Sequence, residues 1–431
     1  GIMHTKMRLF EWKENGENYN AVVSGSLNPD GTALQNEETV FVIKNHPIYK
    51  DYDLVYQNVL NLTNKYTGKP FINKPAGRSS KTDLQLLFSK GNINGGPRIG
   101  DELNKLISET TDMVLIFVYT MRDYGGLVSA IQQAAKNGAF VAVLTDIDQM
   151  VGEAGFSAPD GTCLPAQINS IKLNPKYGSE VYVPVYTCKN INGQFTAFHH
   201  KNMVVGVDKM YVTTDSANWT GAAVGGTQKE PAGCKECACA DAHPPPSTSQ
   251  LKESYNGNDD QKYWGAGNAS SEMANCDTTL FINSYKMDQN KTGLAFVDIF
   301  FYLLEKHWIF TISNINKITH PGSSSSLLKE MTLSIEKVEN PSLVQSSYGG
   351  NDYSALYPGA TLEKNRLTVP AAPCPPPSSC PKNEVVPHIY TPSEIGNMML
   401  NIPNLNKNTI LKNKITALSN CKNINDYGKC S

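Results

Sequence analysis

The sequence predicts an α/β protein that contains an internal duplication and ends in a mainly β or irregular C-terminal extension. Three observations support this prediction. A His-x-Lys pair followed by Ser-x-Asn occurs twice. Each of these motif sets precedes an Asn-x-acid-Thr segment and an apolar run. Alternating strand and helix patterns fill the chain between the two sets. Such alternation is typical of a sheet covered by helices.

The two motif sets carry the residue types that displacement at a phosphodiester requires. One imidazole can attack phosphorus, a second can protonate the leaving oxygen, and ammonium and amide groups can neutralise the phosphate oxygens. A single His-x-Lys is common by chance, whereas two matched sets are not. The residues concerned are His4, Lys6, Ser26 and Asn28 in the first set and His199, Lys201, Ser216 and Asn218 in the second.

The segments that follow the two sets also repeat. Glu38 and Asp277 each stand before a threonine and an apolar run that suits a buried strand. Helical patterns then run from about residue 47 to 66 and from about 292 to 308. The order motif, strand, helix therefore occurs twice, which indicates duplication. Because neighbours on a strand point to opposite faces, His199 and Lys201 are expected to share one face and His200 the other.

A β-α-β-α-β pattern precedes the second set and predicts a parallel sheet with helices on both faces. Its segments are Leu84–Phe88, Ile99–Ser108, Met113–Tyr119, Leu127–Asn137 and Phe140–Leu144. Only three residues precede His4, so the first lobe is expected to lack the corresponding part. An N-terminal fragment or a second chain would then complete this lobe. The alternative is that C-terminal residues replace the missing part.

Both motif sets resemble the phospholipase D superfamily, whose signature is H-x-K-x4-D followed by G-S-x-N, twice per active site. Glu11 stands in the first acidic position, Gly206 in the second, and Asp215 replaces the Gly of the second Gly-Ser-x-Asn. The resemblance implies duplicated αβα sandwich lobes that share one site. The residues of the second motif are similar to those of lysosomal phospholipase D-like 5′-exonucleases.

The resemblance also implies roles for individual residues. We assign His4 as the nucleophile that forms a phosphohistidine and His199 as the acid and base. Lys6, Lys201, Asn28 and Asn218 would hold the phosphate oxygens, with hydroxyls from Ser26 and Ser216. Glu38 and Asp277 would orient the histidines, each half supplying its own acid, and Glu11 would support the first motif. This chemistry requires no metal and no other cofactor.

Four segments are expected along the chain. Residues 1–80 form the C-terminal part of the first lobe, and residues 81–310 form the second lobe, with a loop insertion at about 221–274. Residues 311–369 form a β-rich extension, in which 333–338 is a strand. Residues 370–431 form a Pro/Cys linker and a short helical tail, with Thr391 as N-cap and Glu394 completing a capping box.

Composition points to an oxidising compartment, either outside the cell or in the endo-lysosomal lumen. The chain has 431 residues, ten cysteines, and sequons at Asn61, Asn268 and Asn290. Cys234, Cys237 and Cys239 with His243 suit disulfides better than a metal site. A net charge of −2 gives no bulk attraction to nucleic acid or anionic membrane, and no apolar run is long enough to span a bilayer.

The expected function is hydrolysis or transfer at a phosphodiester of phospholipid or single-stranded nucleic acid. Phe198, Trp219 and Trp264 are candidates for contact with bases or acyl chains, although core packing is the simpler interpretation. Two alternatives remain open. One is a phospholipase D-like scaffold that serves as a structural or binding protein, and the other is a secreted protein whose C-terminal region binds glycan.

Overall fold

The computed structural model describes twelve stretches of the chain. They are residues 4–29, 36–63, 83–89, 98–121, 126–146, 185–188, 198–224, 277–306, 309–311, 361–363, 366–370 and 383–421. The predicted cysteine cluster at 234–243, the strand at 333–338, Trp264, the sequon at Asn268 and most of the Pro/Cys linker lie outside these stretches. No described helix has the length and apolarity needed to cross a membrane.

The structure has an α/β fold with two sheets, as the sequence predicts. The strands are β1 (Arg8–Glu14), β2 (Glu17–Gly25), β3 (Val40–Lys44), β4 (Leu84–Phe88), β5 (Met113–Val118), β6 (Phe140–Asp146), β7 (Val185–Cys188), β8 (Lys201–Val205), β9 (Tyr211–Asp215), β10 (Thr278–Asn283), β11 (Ile309–Thr311), β12 (Thr361–Glu363), β13 (Arg366–Pro370) and β14 (Asn383–Tyr390). The helices are α1 (Tyr49–Thr63), α2 (Ile99–Ser108), α3 (Leu127–Lys136), α4 (Gly221–Val224), α5 (Ser284–Asp288), α6 (Lys291–Lys306), α7 (Pro392–Met399) and α8 (Thr409–Ser419).

The duplication is visible in the order of elements. Strands β1, β2 and β3 form an antiparallel sheet followed by α1, and β8, β9 and β10 pair in the same antiparallel order before α5 and α6. Each His-x-Lys precedes or begins the first strand of its trio, and each Ser-x-Asn follows the second strand. In the first trio, β1 and β2 meet at Asn15-Gly16, whose positive φ angles of 51° and 85° suit a two-residue hairpin turn.

The sheet of the second half is mixed, which corrects the prediction of a parallel sheet. Strands β5, β6 and β7 are parallel neighbours, as the β-α-β pattern indicates. Strand β4 instead lies at the far edge, antiparallel to β10, because β8, β9 and β10 are inserted between β5 and β4. Local periodicity identifies the strands. It does not tell which distant strands pair, and that pairing sets their order in the sheet.

The main core lies on one face of this mixed sheet. Met113, Leu115 and Phe117 of β5 point into it, and the Phe117 ring meets Phe300 of α6 at 5.8 Å between centroids. Val114 and its alternate neighbours are buried on the opposite face, where α3 contacts β6. Helices therefore cover both faces, as expected for alternating strands and helices.

The C-terminal helices pack into the same core. Helices α7 and α8 contribute buried apolar side chains, and the side-chain amide of Asn408 donates to the Val207 carbonyl at 2.9 Å. The predicted capping box of Thr391 and Glu394 is confirmed. Strands β11 to β14 extend the mixed sheet from the β7 edge, and therefore lie away from β1 and β3. The described C-terminal residues do not complete the first lobe.

The three-stranded sheet of the first half is open at both edges among the described strands. In the second half the equivalent strands are covered, because β8 pairs with β5 and β10 pairs with β4. Large apolar side chains remain exposed on the open strands, including Phe10 at 48% and Val42 at 53%. Open apolar edges of this kind are surfaces on which further strands add.

This asymmetry predicts a difference in amide hydrogen exchange within one molecule. Half of the amides of β1 and β3 face no partner strand in the described part of the chain, so they should exchange much faster than the equivalent amides of β8 and β10 in the isolated chain. Exchange followed by mass spectrometry provides the measurement, with β8 and β10 as internal controls. Equal protection of the two trios would show that the β1 and β3 edges are covered.

Candidate active site

The two motif lysines make the same local contact. The Lys6 ammonium donates to the His4 carbonyl at 2.7 Å, and the Lys201 ammonium donates to the His199 carbonyl at 2.8 Å. Each Lys side chain therefore turns back along its own His-x-Lys segment. The matching geometry supports the equivalence of the two segments that their sequences indicate.

The acids orient the histidines, but each acid comes from the opposite half. His4 Nδ1 lies 2.7 Å from Asp277 Oδ1, and His199 Nδ1 lies 2.8 and 2.9 Å from the two oxygens of Glu38. The sequence-based expectation that each half uses its own acid is therefore corrected. The exchange arises because the segment before β3 runs beside the segment before β8, where Glu37 bridges to Phe198 and its carbonyl accepts from the His199 amide at 3.0 Å.

The motif serines hold these acids in place. The Ser26 hydroxyl donates to Glu38, and the Ser216 hydroxyl donates to Asp277 at 3.0 Å. Each serine oxygen also accepts the amide of the residue after the acid, Thr39 or Thr278, at 2.9 Å. The serines therefore position the carboxylates, which differs from the expected role of their hydroxyls as donors to phosphate.

Burial sets the charge state of the second motif. Desolvation lowers the pKa of His199, and the nearby Lys201 and Lys6 lower it further, while the hydrogen bond and charge of Glu38 raise it. Desolvation and the charge of Lys6 lower the pKa of Lys201 to about 7, against the pull of Glu38 and Asp277. The two lysines are thus close enough to repel each other, which favours an anion between them.

The remaining predicted residues differ in their placement. Asn28 and Asn218, two residues after Ser26 and Ser216, are partly buried, and the side-chain oxygen of Asn218 is buried with no hydrogen-bond partner among the described residues. Glu11 is exposed on β1, where it raises the pKa of Tyr49, after the larger effect of burial. The structure therefore does not bring Glu11 to the other site residues.

His200 and the aromatic residues near the site pack in the core, as the simpler interpretation expects. His200 Nδ1 lies 2.8 Å from the Thr39 hydroxyl, and its ring packs edge-on against Phe117 and Phe198. This confirms that His200 faces away from His199. Phe198 and Trp219 are buried in the core at 2% and 1% exposure, so neither offers a free face to a ligand.

Four residues that contribute to the site are not among the site residues predicted from the sequence. Tyr119, at the end of β5, places its ring edge-on to His199 at 4.8 Å and lies 5.5 Å from the Lys201 ammonium. Ser24 and Tyr52 both contact the carboxyl of Asp215. The repeat offers no signal for Tyr119, Ser24 or Tyr52. The signal for Asp215 is its replacement of a motif glycine.

The exchanged pairing predicts which carboxylate controls His199. The charge of Glu38 favours the imidazolium of His199, so Glu38→Gln should lower the pKa of His199 by about one unit or more. Asp277→Asn is the matched control and should have a smaller effect. Titration of the His199 ring signal by NMR provides the measurement. A larger effect of Asp277→Asn would indicate pairing within one half.

A family model and several solved structures are similar to parts of this chain. Residues 103–250 match the family model described as cardiolipin synthase, PLD-like domain. Similar solved structures include the phospholipase D family member Nuc from Salmonella typhimurium (15% identity, 53% of this chain, 97% of that chain, TM-score 0.29). Others are NucT from Helicobacter pylori (12% identity, 52% and 96%, TM-score 0.29) and phosphatidylserine synthase from Haemophilus influenzae Rd KW20 (11% identity, 74% and 67%, TM-score 0.38).

No curated protein matches the sequence at a significant level. The matched segment, residues 103–250, contains the second motif set and is similar to the PLD-like domain of that model. The first motif set lies outside the match and repeats the order of elements found around the second.

Proposed function

We propose that this protein is a phosphodiesterase that works in two steps through a phosphohistidine. The observation that carries the proposal is the pair of histidines whose Nδ1 atoms are each held by a carboxylate, at 2.7 Å for His4 and 2.8 Å for His199. A carboxylate that accepts a hydrogen bond from Nδ1–H keeps the proton on Nδ1 and leaves the lone pair on Nε2, which is the reacting tautomer. Lys6 and Lys201 lie beside them and supply the positive charge that a phosphate needs.

In the first step, Nε2 of one histidine attacks phosphorus and the bond from phosphorus to the leaving oxygen breaks. That oxygen takes a proton from the other imidazolium. In the second step, the now neutral imidazole accepts a proton from water, and the hydroxide formed displaces the histidine from phosphorus. An alcohol in place of water would give transfer. By resemblance, the side-chain amides of Asn28 and Asn218 would orient the phosphate or the incoming hydroxyl.

The electrostatics of the free protein favour His199 as the nucleophile, the reverse of the sequence-based assignment of His4. Burial and the two lysines lower the pKa of His199, which keeps its imidazole neutral near pH 7. A neutral imidazole is the form that attacks phosphorus, whereas the acid must start protonated. His4 is more exposed, with 22% of its side chain accessible, and it pairs with the fully buried Asp277.

Trapping the covalent intermediate tests the function and separates the two roles. With bis(4-nitrophenyl) phosphate, whose leaving group needs no proton, quenching in alkaline denaturant and peptide mapping should find the remaining 4-nitrophenyl phosphoryl group on one histidine only. Alanine at that histidine should abolish labelling. Alanine at the other should slow the second step about 10²-fold or more and let label accumulate.

His46→Gln is the matched control, since His46 lies apart from the site and bonds Asp83. It should label like the unaltered protein. Label on neither histidine with this ester, with short single-stranded DNA and with phosphatidylcholine vesicles would favour the scaffold alternative. The two natural substrate classes are compared in the same experiment, because the buried Phe198 and Trp219 do not favour either class.

We further propose that a polypeptide segment completes the first lobe. The support is the contrast between the open edges of β1 and β3 and the covered edges of β8 and β10. In the protein from its natural source, a bound segment should slow amide exchange at β1 and β3 to the level of the second trio. A natural protein with fast exchange at both edges would contradict this proposal.

An oxidising compartment, secreted or endo-lysosomal, remains our proposal for location. Its support is the even number of cysteines and the buried, disulfide-bonded Cys421. The sequon at Asn290 gives no support, because its amide accepts from the Met210 backbone at 3.0 Å and donates to the Asp208 carbonyl at 2.7 Å. Thiol labelling of the denatured natural protein should detect few free cysteines, and ten reactive thiols would contradict the proposal.

The alternative of a glycan-binding C-terminal region has less support. Helices α7 and α8 bury their apolar faces in the core that they share with β5 and α6. They therefore act as part of the main body, and no observation on the described C-terminal residues favours a sugar site.

A further inference from the structure

Asp215 has a backbone conformation that its residue type rarely adopts. It ends β9 with a φ of 114°, and the equivalent residue of the first half is Gly25, with a φ of 142°. A Cβ at Gly25 would collide with the Thr39 carbonyl oxygen. The motif therefore requires a left-handed residue at this position, and the second half meets the requirement with an aspartate. Such strain persists only where the surroundings hold the residue in place.

The carboxyl of Asp215 crosses from the second half to the first. Its Oδ1 lies 2.6 Å from the hydroxyl of Ser24, on β2, and its Oδ2 lies 2.8 Å from the hydroxyl of Tyr52, on α1. All three side chains are buried, at 1%, 3% and 0% exposure. Because the carboxyl is buried and forms hydrogen bonds with these two hydroxyls, Asp215 is expected to act on the site through other residues.

Ser24 connects this carboxyl to the first His-x-Lys. Its hydroxyl oxygen lies 3.2 Å from the Lys6 carbonyl as well as 2.6 Å from Asp215. A hydroxyl has one proton, so Ser24 can donate to only one of these two acceptors at a time. If Asp215 is ionised, it accepts the Ser24 hydrogen bond and the link from Ser24 to the Lys6 carbonyl is lost. If Asp215 is protonated, it donates to Ser24, and Ser24 donates to Lys6.

The protonated form satisfies every group in this cluster. Tyr52 donates to Oδ2, the Oδ1 hydroxyl donates to Ser24, and Ser24 donates to the Lys6 carbonyl, with no buried charge left over. The other groups that face the carboxyl are the hydroxyl of Thr278 and the carboxylate of Asp277. The charge of Asp277 has the same sign as an ionised Asp215 and therefore opposes its ionisation. The geometry therefore favours a neutral carboxyl.

We propose that Asp215 is a positioning residue which, in its protonated form, completes a hydrogen-bond chain through Ser24 to the main chain of Lys6 and so orders the first motif in mildly acidic solution. This inference rests on the proposed phosphodiesterase function. Burial, the largest cause, and the charge of Asp277 raise the pKa of Asp215 to about 6, despite hydrogen bonds from Ser24, Tyr52 and Thr278. The chain is therefore complete below about pH 6 and broken above it.

The test compares the unaltered protein with Asp215→Asn at several pH values. An asparagine amide can donate to Ser24 and accept from Tyr52, so it mimics the protonated acid at every pH. The ratio of kcat values, variant to unaltered, should be near one at pH 5 and rise to about fivefold at pH 7.5, the equivalent of one neutral hydrogen bond. Other titrating groups are common to both proteins and cancel in the ratio.

Two further variants separate positioning from general stability. Tyr52→Phe removes one hydrogen-bond donor to the Asp215 carboxyl. In this background, the rise in the kcat ratio of Asp215→Asn should move to higher pH. Asp112→Asn is the matched control, since burial also raises the pKa of Asp112, which bonds the Met113 and Val207 amides away from the site. Its kcat ratio should not vary with pH. A flat ratio for Asp215→Asn, or an equal rise for Asp112→Asn, would overturn the proposal.

Thermal unfolding provides a readout that does not depend on turnover. A pKa raised from 3.8 to about 6 gives stability that is fully present below pH 3.8 and is lost as pH rises through 6. The Tm of Asp215→Asn relative to the unaltered protein should therefore increase between pH 5 and pH 7.5. Absence of this increase would overturn the proposal even if no diester is turned over, whereas its presence with no turnover would count against the phosphodiesterase function alone.

Discussion

The site depends on the exchange of carboxylates between the two halves. Glu38 reaches across to His199, and Asp277 reaches across to His4. Neither half therefore contains a complete histidine with its orienting acid. The positions of β3 and β10, which follow the two acids, must be correct relative to the opposite half before either imidazole has its reacting tautomer. The packing between the halves is for this reason part of the chemistry.

Burial around the second motif has an electrostatic consequence for ligand binding. Lys201 is at 2% exposure and its pKa falls to about 7, chiefly because of desolvation. A buried ammonium without a bound anion is costly, and a phosphate placed between Lys6 and Lys201 would offset that cost. The site is thus arranged so that the charged state of its lysines is stabilised by the anion that the proposed reaction requires.

Much of the fold follows from local sequence patterns, and the exceptions have a common physical cause. The strands at Leu84–Phe88 and Met113–Val118 and the helix at Ile99–Ser108 lie where periodicity predicts them. The position of β4 beside β10 does not follow, because pairing between distant strands leaves no periodic trace. The same limit applies to the site. The motif residues are recognisable one by one, whereas the exchange of Glu38 and Asp277 and the contact of Tyr119 with His199 depend on how the halves meet.

The exchange of acids also bears on how such a chain arises. In a symmetric dimer with a two-fold axis, a contact from one residue of the first subunit to another residue of the second is repeated in the reverse direction. The pairs His4 with Asp277 and His199 with Glu38 follow this rule inside one polypeptide. They are the pattern expected if two copies of an ancestral one-motif subunit, which built a shared site across their contact, became joined end to end. After such a fusion the two copies are free to diverge, and Asp215 opposite Gly25 is a position where they have.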